Sequence, residues 1–351
     1  MDKRLTEILH MAEQNVPPSR DDCIYLLGFS EETQEATFTR AVANDISRKL
    51  NGNTAVLFGQ IGLELYPCEC DCKFCAFGKS HTGFTSKLTL DDDTLRQKVY
   101  DFTKDGDLYC LWLMTMDKFD LDYYVNALKT ARETAPPQTL LYTNIGDTDH
   151  ETFAKLKAAG ADGAYHVIRL GEGTYTTITP ARRQETMDNA QKAGLPLQDC
   201  LEPIGSEHTP EELVAHIFDT VERGLDTAGV MKRTPVPGTM FTDEITNLRL
   251  AQIAAVNALA VTAIRPYPCV PVHEADYISL TSGANSICAE TGVNPRDTAA
   301  DTSQGRGLDV SACRKMLWNA GYKHLLRGDG SRVELTPEYI ARCEVKSRVY
   351  A

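Results

Sequence analysis

The sequence predicts an α/β fold, a TIM-type (β/α)8 barrel with an N-terminal helical extension and a C-terminal helical segment. From residue 54 onward, short apolar runs alternate with amphipathic segments, which is the pattern of parallel βα units. Helical segments end on glycines that lead directly into the next apolar run, at Gly160, Gly194 and Gly224. Eight such runs would close a barrel. A doubly wound open sheet is the alternative.

The predicted elements divide the chain into three parts. Helices over 5–13, 22–27 and 36–50 form a lead-in, residues 1–52. The barrel takes residues 53–300, with strands near 55–65, 108–115, 139–143, 163–168, 199–204, 228–233, 262–267 and 285–289. Residues 301–351 form a C-terminal segment that packs on the barrel and contains a helix of about a dozen residues. The helix after Thr209 is clearly marked, because Thr209 and Glu212 form a capping box.

Composition and charge exclude several classes of function. The chain has 351 residues and a net charge of -13, and it has no stripe of lysine and arginine, so a nucleic-acid partner is not expected. No apolar stretch reaches the roughly 18 residues that span a bilayer. The first residues lack the apolar core of a signal peptide. We therefore expect a cytoplasmic protein that acts on a small molecule.

Four of the 11 cysteines fall within the segment Cys68–Cys75, which is too short for a disulfide framework. Cys68, Cys72 and Cys75 have the spacing Cys-x3-Cys-x2-Cys, with Phe74 before the last cysteine. Three thiolates on one loop can hold three irons of a [4Fe-4S] cluster and leave the fourth iron open. The alternative is a zinc site that also uses Cys70, but zinc usually draws ligand pairs from two separated segments.

This loop resembles the signature of the radical S-adenosylmethionine (radical SAM) enzymes. The order of elements from Ala36 to Tyr322 also resembles the branch that contains biotin synthase, methylornithine synthase and a hydrogenase maturase. The resemblance implies that SAM chelates the open iron and that an electron donor such as flavodoxin or ferredoxin drives its cleavage. The resulting 5′-deoxyadenosyl radical would abstract hydrogen from a substrate.

The same resemblance implies a set of SAM-binding residues. Phe74 and Phe77 match positions that flank the adenine, and Asn144 follows the third strand, where the ribose hydroxyls bind. Asp147 or Thr148 alternatively caps the next helix.

The fourth-strand end also matches the family. Arg169 and Glu172 belong to this match, and Glu172 is expected beside the amino group or ribose of SAM. An arginine eleven residues before the helix-ending glycine holds the SAM carboxylate in the family, and counting back from Gly194 gives Arg183. Arg182 is the competing choice. A guanidinium suits this role because it grips a carboxylate with two hydrogen bonds.

Charged residues at predicted strand ends are the candidates for the substrate pocket. Glu202, Arg233 and Arg265 would be costly to bury unless a partner or a ligand satisfied them. His273 follows the seventh predicted strand and shapes the same pocket. The cluster predicts a small, polar, carboxylate-bearing substrate, and internal salt bridges are the alternative. Because Lys232 and Arg233 alternate along a strand, only one of them is expected to point into the barrel.

Isolated cysteines on the predicted strands raise the question of a second cluster. Biotin synthase holds an auxiliary two-iron cluster in its barrel, and Cys110 falls near one of its ligand positions, with Cys200 and Cys269 on neighbouring elements. Tyr142 stands at the third-strand ligand position, which disfavours sulfur insertion of the biotin synthase kind. The sequence therefore predicts a radical enzyme for rearrangement, cleavage or group insertion in cofactor or amino-acid biosynthesis.

Overall fold

The structure is a computed structural model that describes residues 2–349, with side chains described up to residue 343. Its helices are α1 Lys3–Glu13, α2 Arg20–Leu27, α3 Gln34–Asn51, α4 Asp92–Thr103, α5 Leu121–Thr134, α6 His150–Ala158, α7 Pro180–Lys192, α8 Pro210–Arg223, α9 Asn247–Ala260, α10 Tyr277–Leu280, α11 Val310–Asn319 and α12 Pro337–Val349. Its strands are β1 Thr54–Gly62, β2 Glu64–Leu65, β3 Leu88–Thr89, β4 Cys110–Met114, β5 Leu140–Asn144, β6 Gly163–Tyr165, β7 Leu197–Ile204, β8 Thr227–Lys232, β9 Val272–His273, β10 Ser286–Gly292, β11 His324–Leu326 and β12 Arg332–Glu334.

Eight parallel strands form the barrel predicted from the sequence. Strands β1, β4, β5, β6, β7, β8 and β9 pair in that order, and β10 pairs with the free side of β1. The ring closes between β9 and β10 through a bridge between Pro271 and Ser286. Helices follow most of the strands on the outside, as a (β/α)8 fold requires. The fold class is confirmed.

The N-terminal helices, most barrel strands and the helix after Thr209 lie where the sequence predicts them. Thr209 accepts a hydrogen bond from the backbone of Glu212, and the Glu212 carboxylate accepts one from the backbone of Thr209, which completes the capping box. Helix α8 then ends at Gly224, whose φ of 63° is left-handed.

The strand predicted over 262–267 is wrong. Helix α9 is buried over Leu250–Ala260 and continues into a 3-10 turn over Val261–Ala263, so the apolar run belongs to a helix that is covered on all sides. A short apolar run does not distinguish a buried helix from a buried strand. The seventh barrel strand comes later, at Val272–His273.

The C-terminal hairpin was not predicted. Strand β11 lies parallel to the first residues of β1, with Thr54 opposite His324, and β12 pairs antiparallel to β11. This hairpin extends the sheet at the amino ends of the barrel strands, opposite the rim where catalytic residues of such barrels lie. The division into 1–52, 53–300 and 301–351 stays a prediction.

Aromatic side chains fill the lower half of the barrel. Phe58 and Trp112 stack with ring centres 4.8 Å apart, and Tyr142 is buried beside them. The cavity described below lies toward the carboxyl ends of the strands, above these rings. Within residues 2–349, no helix is long and apolar enough to cross a lipid bilayer.

Candidate active site

A cavity of about 170 Å³ lies at the carboxyl ends of the barrel strands. The loop between β2 and β3 forms one wall and contributes all four of its cysteines. The opposite walls are polar side chains from the strand ends. They include Asn144, Arg169, Arg183, Glu202, Arg233 and His273. The structure therefore brings most of the predicted site residues together.

The cysteine loop is fixed by its own backbone and by two neighbouring loops. Cys68 donates its N–H to the carbonyl of Phe77 at 2.7 Å. The backbone N–H of Lys73 binds the carbonyl of Tyr175, and that of Ala76 binds the carbonyl of Pro295. These backbone hydrogen bonds, and not only side-chain packing, hold the thiols at a defined place on the rim.

The thiol groups differ in their surroundings. Cys68, Cys72 and Cys75 are half-buried, whereas Cys70 is buried. A hydrogen bond from the Cys70 side chain lowers the pKa of the Cys68 thiol to about 7, and the same contact raises the pKa of Cys70. Burial raises the pKa of Cys72 to about 11 and that of Cys75 to about 12. A bound cation would replace the protons on such thiols.

This donor set fits an iron–sulfur cluster. Three half-buried thiols of one loop face a cavity, and thiolates are the ligands that such clusters use. The cavity beside them has polar groups for a second ligand. Among the residues whose side chains are described, no group of three or more histidines, cysteines or carboxylates is arranged around a point as the ligands of one metal ion would be.

Two phenylalanines and one glycine shape the cavity next to the loop. Phe74 and Phe77 both line it, and the Phe77 ring packs edge-on against Phe84. Gly146 allows a close approach, because a Cβ at this position would meet the carbonyl oxygen of Asp117 at 2.0 Å. Asn144 points into the same space and its amide donates to Gln60 at 3.4 Å.

Arg183 is the better-placed of the two candidate arginines. Its side chain is buried, with Nε donating to Glu172 at 3.1 Å and Nη1 lying 3.2 Å from Asp147. Arg182 is exposed and pairs with Glu185 at the surface. Glu172 does not line the cavity, because its carboxylate also binds Thr176 and the backbone of Arg169. It pairs with Arg183, and its expected contact with SAM stays a prediction.

Asp147 takes part in this network and does not cap the next helix. Its carboxylate accepts from His166 at 3.0 Å and from Thr186 at 2.8 Å. Burial opposes the charge, but the hydrogen bond from His166 and the Arg183 charge outweigh it and hold the Asp147 pKa at about 2. The N-cap of α6 is Asp149. The predicted cap at Asp147 or Thr148 is wrong.

A second charged group lies on the floor side of the cavity. Arg169 Nε lies 3.2 Å from Glu202, and the hydroxyl of Tyr165 donates to the other oxygen of Glu202 at 2.7 Å. Burial works against the Arg169 charge, but Glu202 and other nearby anions raise its pKa. Arg169 and Glu202 are therefore paired before any ligand binds.

Arg233 and Lys232 point to different sides, as their alternation predicts. Arg233 lines the main cavity, packs over the Phe241 ring at 3.7 Å and pairs with Glu207 and Asp243. Its Nε has no partner among the described groups. Lys232 lines a separate cavity and pairs with Glu244 at 3.0 Å.

His273 lies in the cavity wall, whereas Arg265 does not. The His273 ring stacks over Trp112 with centres 5.9 Å apart, and burial together with the nearby Arg296 charge lowers its pKa to about 4. Arg265 was expected at a strand end, but its segment is not a strand. Its exposed side chain binds the carbonyl of Ile264. Arg265 does not line this cavity.

Sequence reasoning missed two groups in the wall. Arg296 lines the cavity from the loop after β10 and pairs with Glu274 and Glu290. The sequence feature that could have identified Arg296 is the charged run after a barrel strand. However, a single arginine in such a loop does not by itself indicate a cavity residue. Trp112 forms the floor, and its indole N–H binds the side chain of Gln198. The sequence feature that could have identified Trp112 is its inward-facing position on β4.

The barrel cysteines lie in packed apolar surroundings below this floor. Cys110 and Cys200 are buried and share a cluster with Phe58 and Tyr142. Tyr142 packs on Gly163, where a Cβ would meet the ring at 2.3 Å. Cys269 is half-buried at the edge of the same cluster.

Comparisons with known proteins agree with this arrangement. No protein-family model matches the chain. Biotin synthase from Brachyspira hyodysenteriae is 24% identical over 300 residues, which cover 82% of this chain and 87% of that protein. Biotin synthase from a Hydrogenobaculum species is 28% identical over 182 residues, 49% of this chain and 54% of that protein.

Solved structures share the fold. HydG, a maturase of the [FeFe]-hydrogenase, superimposes with a TM-score of 0.75 at 20% identity and covers 92% of this chain and 76% of its own. Methylornithine synthase (PylB) gives a TM-score of 0.74 at 16% identity, with 90% and 96% covered. The chain is therefore similar in sequence to biotin synthases, shares the fold of HydG and methylornithine synthase, and places its cysteine loop on the rim of that fold.

Proposed function

We propose that this chain reductively cleaves SAM at a [4Fe-4S] cluster held by Cys68, Cys72 and Cys75, and that it acts in the cytoplasm on a small, polar, carboxylate-bearing substrate. One observation carries the proposal. The three thiols, Arg183 and the charged strand-end residues line a single cavity. When bound, the cluster supplies the electron that splits SAM into methionine and a 5′-deoxyadenosyl radical.

Each side chain near the loop has a defined task in this proposal. Arg183 donates Nε–H to Glu172 and holds Nη1 3.2 Å from Asp147, and the Nη2 N–H groups, which have no partner among the described residues, grip the SAM carboxylate. Phe74 and Phe77 flank the adenine, and Asn144 binds the ribose hydroxyls. Cys70 donates a hydrogen bond to Cys68 and is not a ligand.

The deeper residues suit a polar substrate. Arg233 keeps one donor, Nε, without a partner, and Glu202 stands opposite with Arg169 and Tyr165. His273 is neutral at pH 7 because its pKa is lowered, so it offers a hydrogen bond without a charge. Apolar side chains complete the wall and exclude water from a radical reaction. They are Met114, Met116, Ile145 and Met231.

Anaerobic reconstitution tests the proposal. Protein supplied with iron and sulfide should bind about four irons per chain and, after reduction by dithionite or flavodoxin, convert SAM to 5′-deoxyadenosine and methionine. Deuterium transfer from labelled candidate substrates into 5′-deoxyadenosine would then identify the substrate class. Protein that binds zinc, stays colourless and does not cleave SAM would instead be a zinc-stabilised binding protein. Iron in excess of one cluster, with sulfur found in the product, would favour sulfur insertion as in biotin synthase.

A further inference from the structure

The barrel wall is discontinuous between β9 and β10. Strands β1 and β10 pair over the whole range from Val56 to Gly62. By contrast, β9 and β10 meet, among the described residues, in one isolated bridge between Pro271 and Ser286. Above that bridge the two strands are held together by side chains. We call this line the seam.

Four charged side chains fill the seam. Arg306 Nη2 lies 2.5 Å from Glu274 and its Nη1 lies 2.7 Å from Glu290. Arg296 pairs with the same two carboxylates, at 3.1 Å in the case of Glu274. Glu274 follows β9, Glu290 lies on β10, and both arginines come from the loop after β10. This seam ring joins the two strands without a backbone ladder.

A second cavity, of about 290 Å³, lies on the other side of the seam ring. It shares two wall residues, Thr234 and His273, with the main cavity. Arg296 lines the main cavity and Arg306 lines the side cavity. The seam ring and the two shared residues therefore form the partition between the two spaces.

The side cavity carries charges of both signs and an unpaired hydroxyl. Lys232 and Glu244 pair at 3.0 Å in its wall, which also includes Arg306 and Glu290. The Thr234 hydroxyl is buried and has no hydrogen-bond partner among the described groups. Walls of mixed sign match a molecule that carries an ammonium and a carboxylate together, since a lone ion would face repulsion from one side.

We propose that the seam is a side entrance by which a small zwitterionic molecule, such as an amino acid, reaches the main cavity. It rests on the proposed function, because SAM at the cysteine loop would occupy the upper part of that cavity. The entering carboxylate pairs with the arginines of the seam ring in place of a glutamate, and the entering ammonium pairs with the glutamates in place of an arginine. The ring therefore opens by side-chain rotation while the backbone stays in place.

Cys288 reports on this route without any need for turnover. It is buried in the same apolar cluster as Cys110 and Cys200, but it lines the side cavity and is 9% exposed, against 0% and 1% for those two cysteines. The holoenzyme is treated with iodoacetamide under anaerobic conditions, with and without SAM, and alkylation of each cysteine is followed by peptide mass spectrometry. SAM binding and SAM cleavage are measured on the same samples.

Two variants change the entrance in opposite directions. Arg306→Ala removes one side of the seam ring and should raise the alkylation rate of Cys288 about tenfold. Ala275→Trp fills the side cavity from a half-buried position and should lower that rate about tenfold. The matched control is Arg223→Ala, because Arg223 also bridges two carboxylates but joins α7 to α8 and lines neither cavity. It should leave Cys288 unchanged.

The outcomes separate the two proposals. SAM should not protect Cys288, Cys110 and Cys200 should stay slow in every variant, and alanine should slow alkylation more than acetate or ethylammonium at equal concentration. Protection of Cys288 by SAM, or a Cys288 rate indifferent to Ala275→Trp, would overturn the side entrance even if SAM is cleaved. Equal effects of alanine, acetate and ethylammonium would overturn the zwitterion assignment. Absence of SAM cleavage in the unaltered enzyme would overturn the proposed function instead.

Discussion

The carboxylate of Asp147 lies 3.2 Å from Nη1 of Arg183, and both side chains are almost fully buried. Asp147 is held in turn by His166 and Thr186. Arg183 sits between this carboxylate and that of Glu172. Two buried anions thus fix one guanidinium in position and orientation, which matters if its remaining donors bind the carboxylate of SAM.

Asp147→Asn should weaken SAM binding. The amide keeps the shape of the side chain but removes the charge that holds Arg183, so we expect the dissociation constant for SAM to rise about tenfold. Isothermal titration of the cluster-loaded protein measures this change directly. Cluster content, read from iron analysis, should stay the same.

The exposed neighbour of Arg183 provides the control for this experiment. Arg182→Ala removes a surface pair with Glu185 and should leave SAM affinity unchanged. If Arg182→Ala weakened SAM binding while Asp147→Asn did not, the assignment of Arg183 would be wrong and Arg182 would take its place.

Cys72→Ala and Cys70→Ala should behave differently. Cys72 is proposed as an iron ligand, so its loss should abolish the cluster absorbance and SAM cleavage. Cys70 is buried and donates a hydrogen bond to Cys68, so its replacement should preserve about four irons per chain. Iron and sulfide analysis with the visible spectrum of anaerobic samples distinguishes the two. Equal losses in both variants would show that the loop uses a different ligand set.

The barrel could be predicted because its signals are local. Glycine at a helix end and a capping box at Thr209 depend on a few adjacent residues, and both mark boundaries that the structure confirms. The segment 262–267 failed because an apolar run carries no sign of whether it continues a buried helix. In the structure the seventh barrel strand is Val272–His273 instead, and Arg265 does not line the cavity.

Site residues could be predicted from the sequence where their type and spacing alone indicate a role. Cys68, Cys72 and Cys75 stand out by spacing alone. The role of Asp147 was not visible, because its partners His166 and Arg183 come from other elements and meet it only in three dimensions. Arg296 was missed for the same reason, since nothing near it in sequence indicates that it pairs across the seam with Glu274.

His273 should make the stability of the cluster-free protein depend on pH. Its folded-state pKa is about 4, lowered by burial, whereas the unfolded chain has an ordinary histidine. Between about pH 4 and 6.5 the unfolded state binds a proton that the folded state does not, so stability falls as the pH is lowered through this window. His273→Gln should reduce this loss by up to ~3 kcal/mol.

Urea unfolding at a series of pH values measures that contribution. The exposed His10→Gln variant serves as the control and should follow the unaltered protein at every pH. A His273→Gln protein that lost stability on acidification as steeply as the unaltered protein would mean that another group dominates this range.

Gly146→Ala should destabilise the rim of the cavity. A Cβ at this position would meet the backbone carbonyl of Asp117 at 2.0 Å, and a backbone atom cannot move aside as a side chain can. We expect a loss of about 1–3 kcal/mol in the free energy of unfolding and weaker SAM binding, because Gly146 and Asp117 both line the cavity. Gly83→Ala is the matched control, since a Cβ there would meet nothing within 4 Å. Thermal unfolding and SAM titration of both variants test the prediction, and equal behaviour of the two would mean that the rim adjusts freely around position 146.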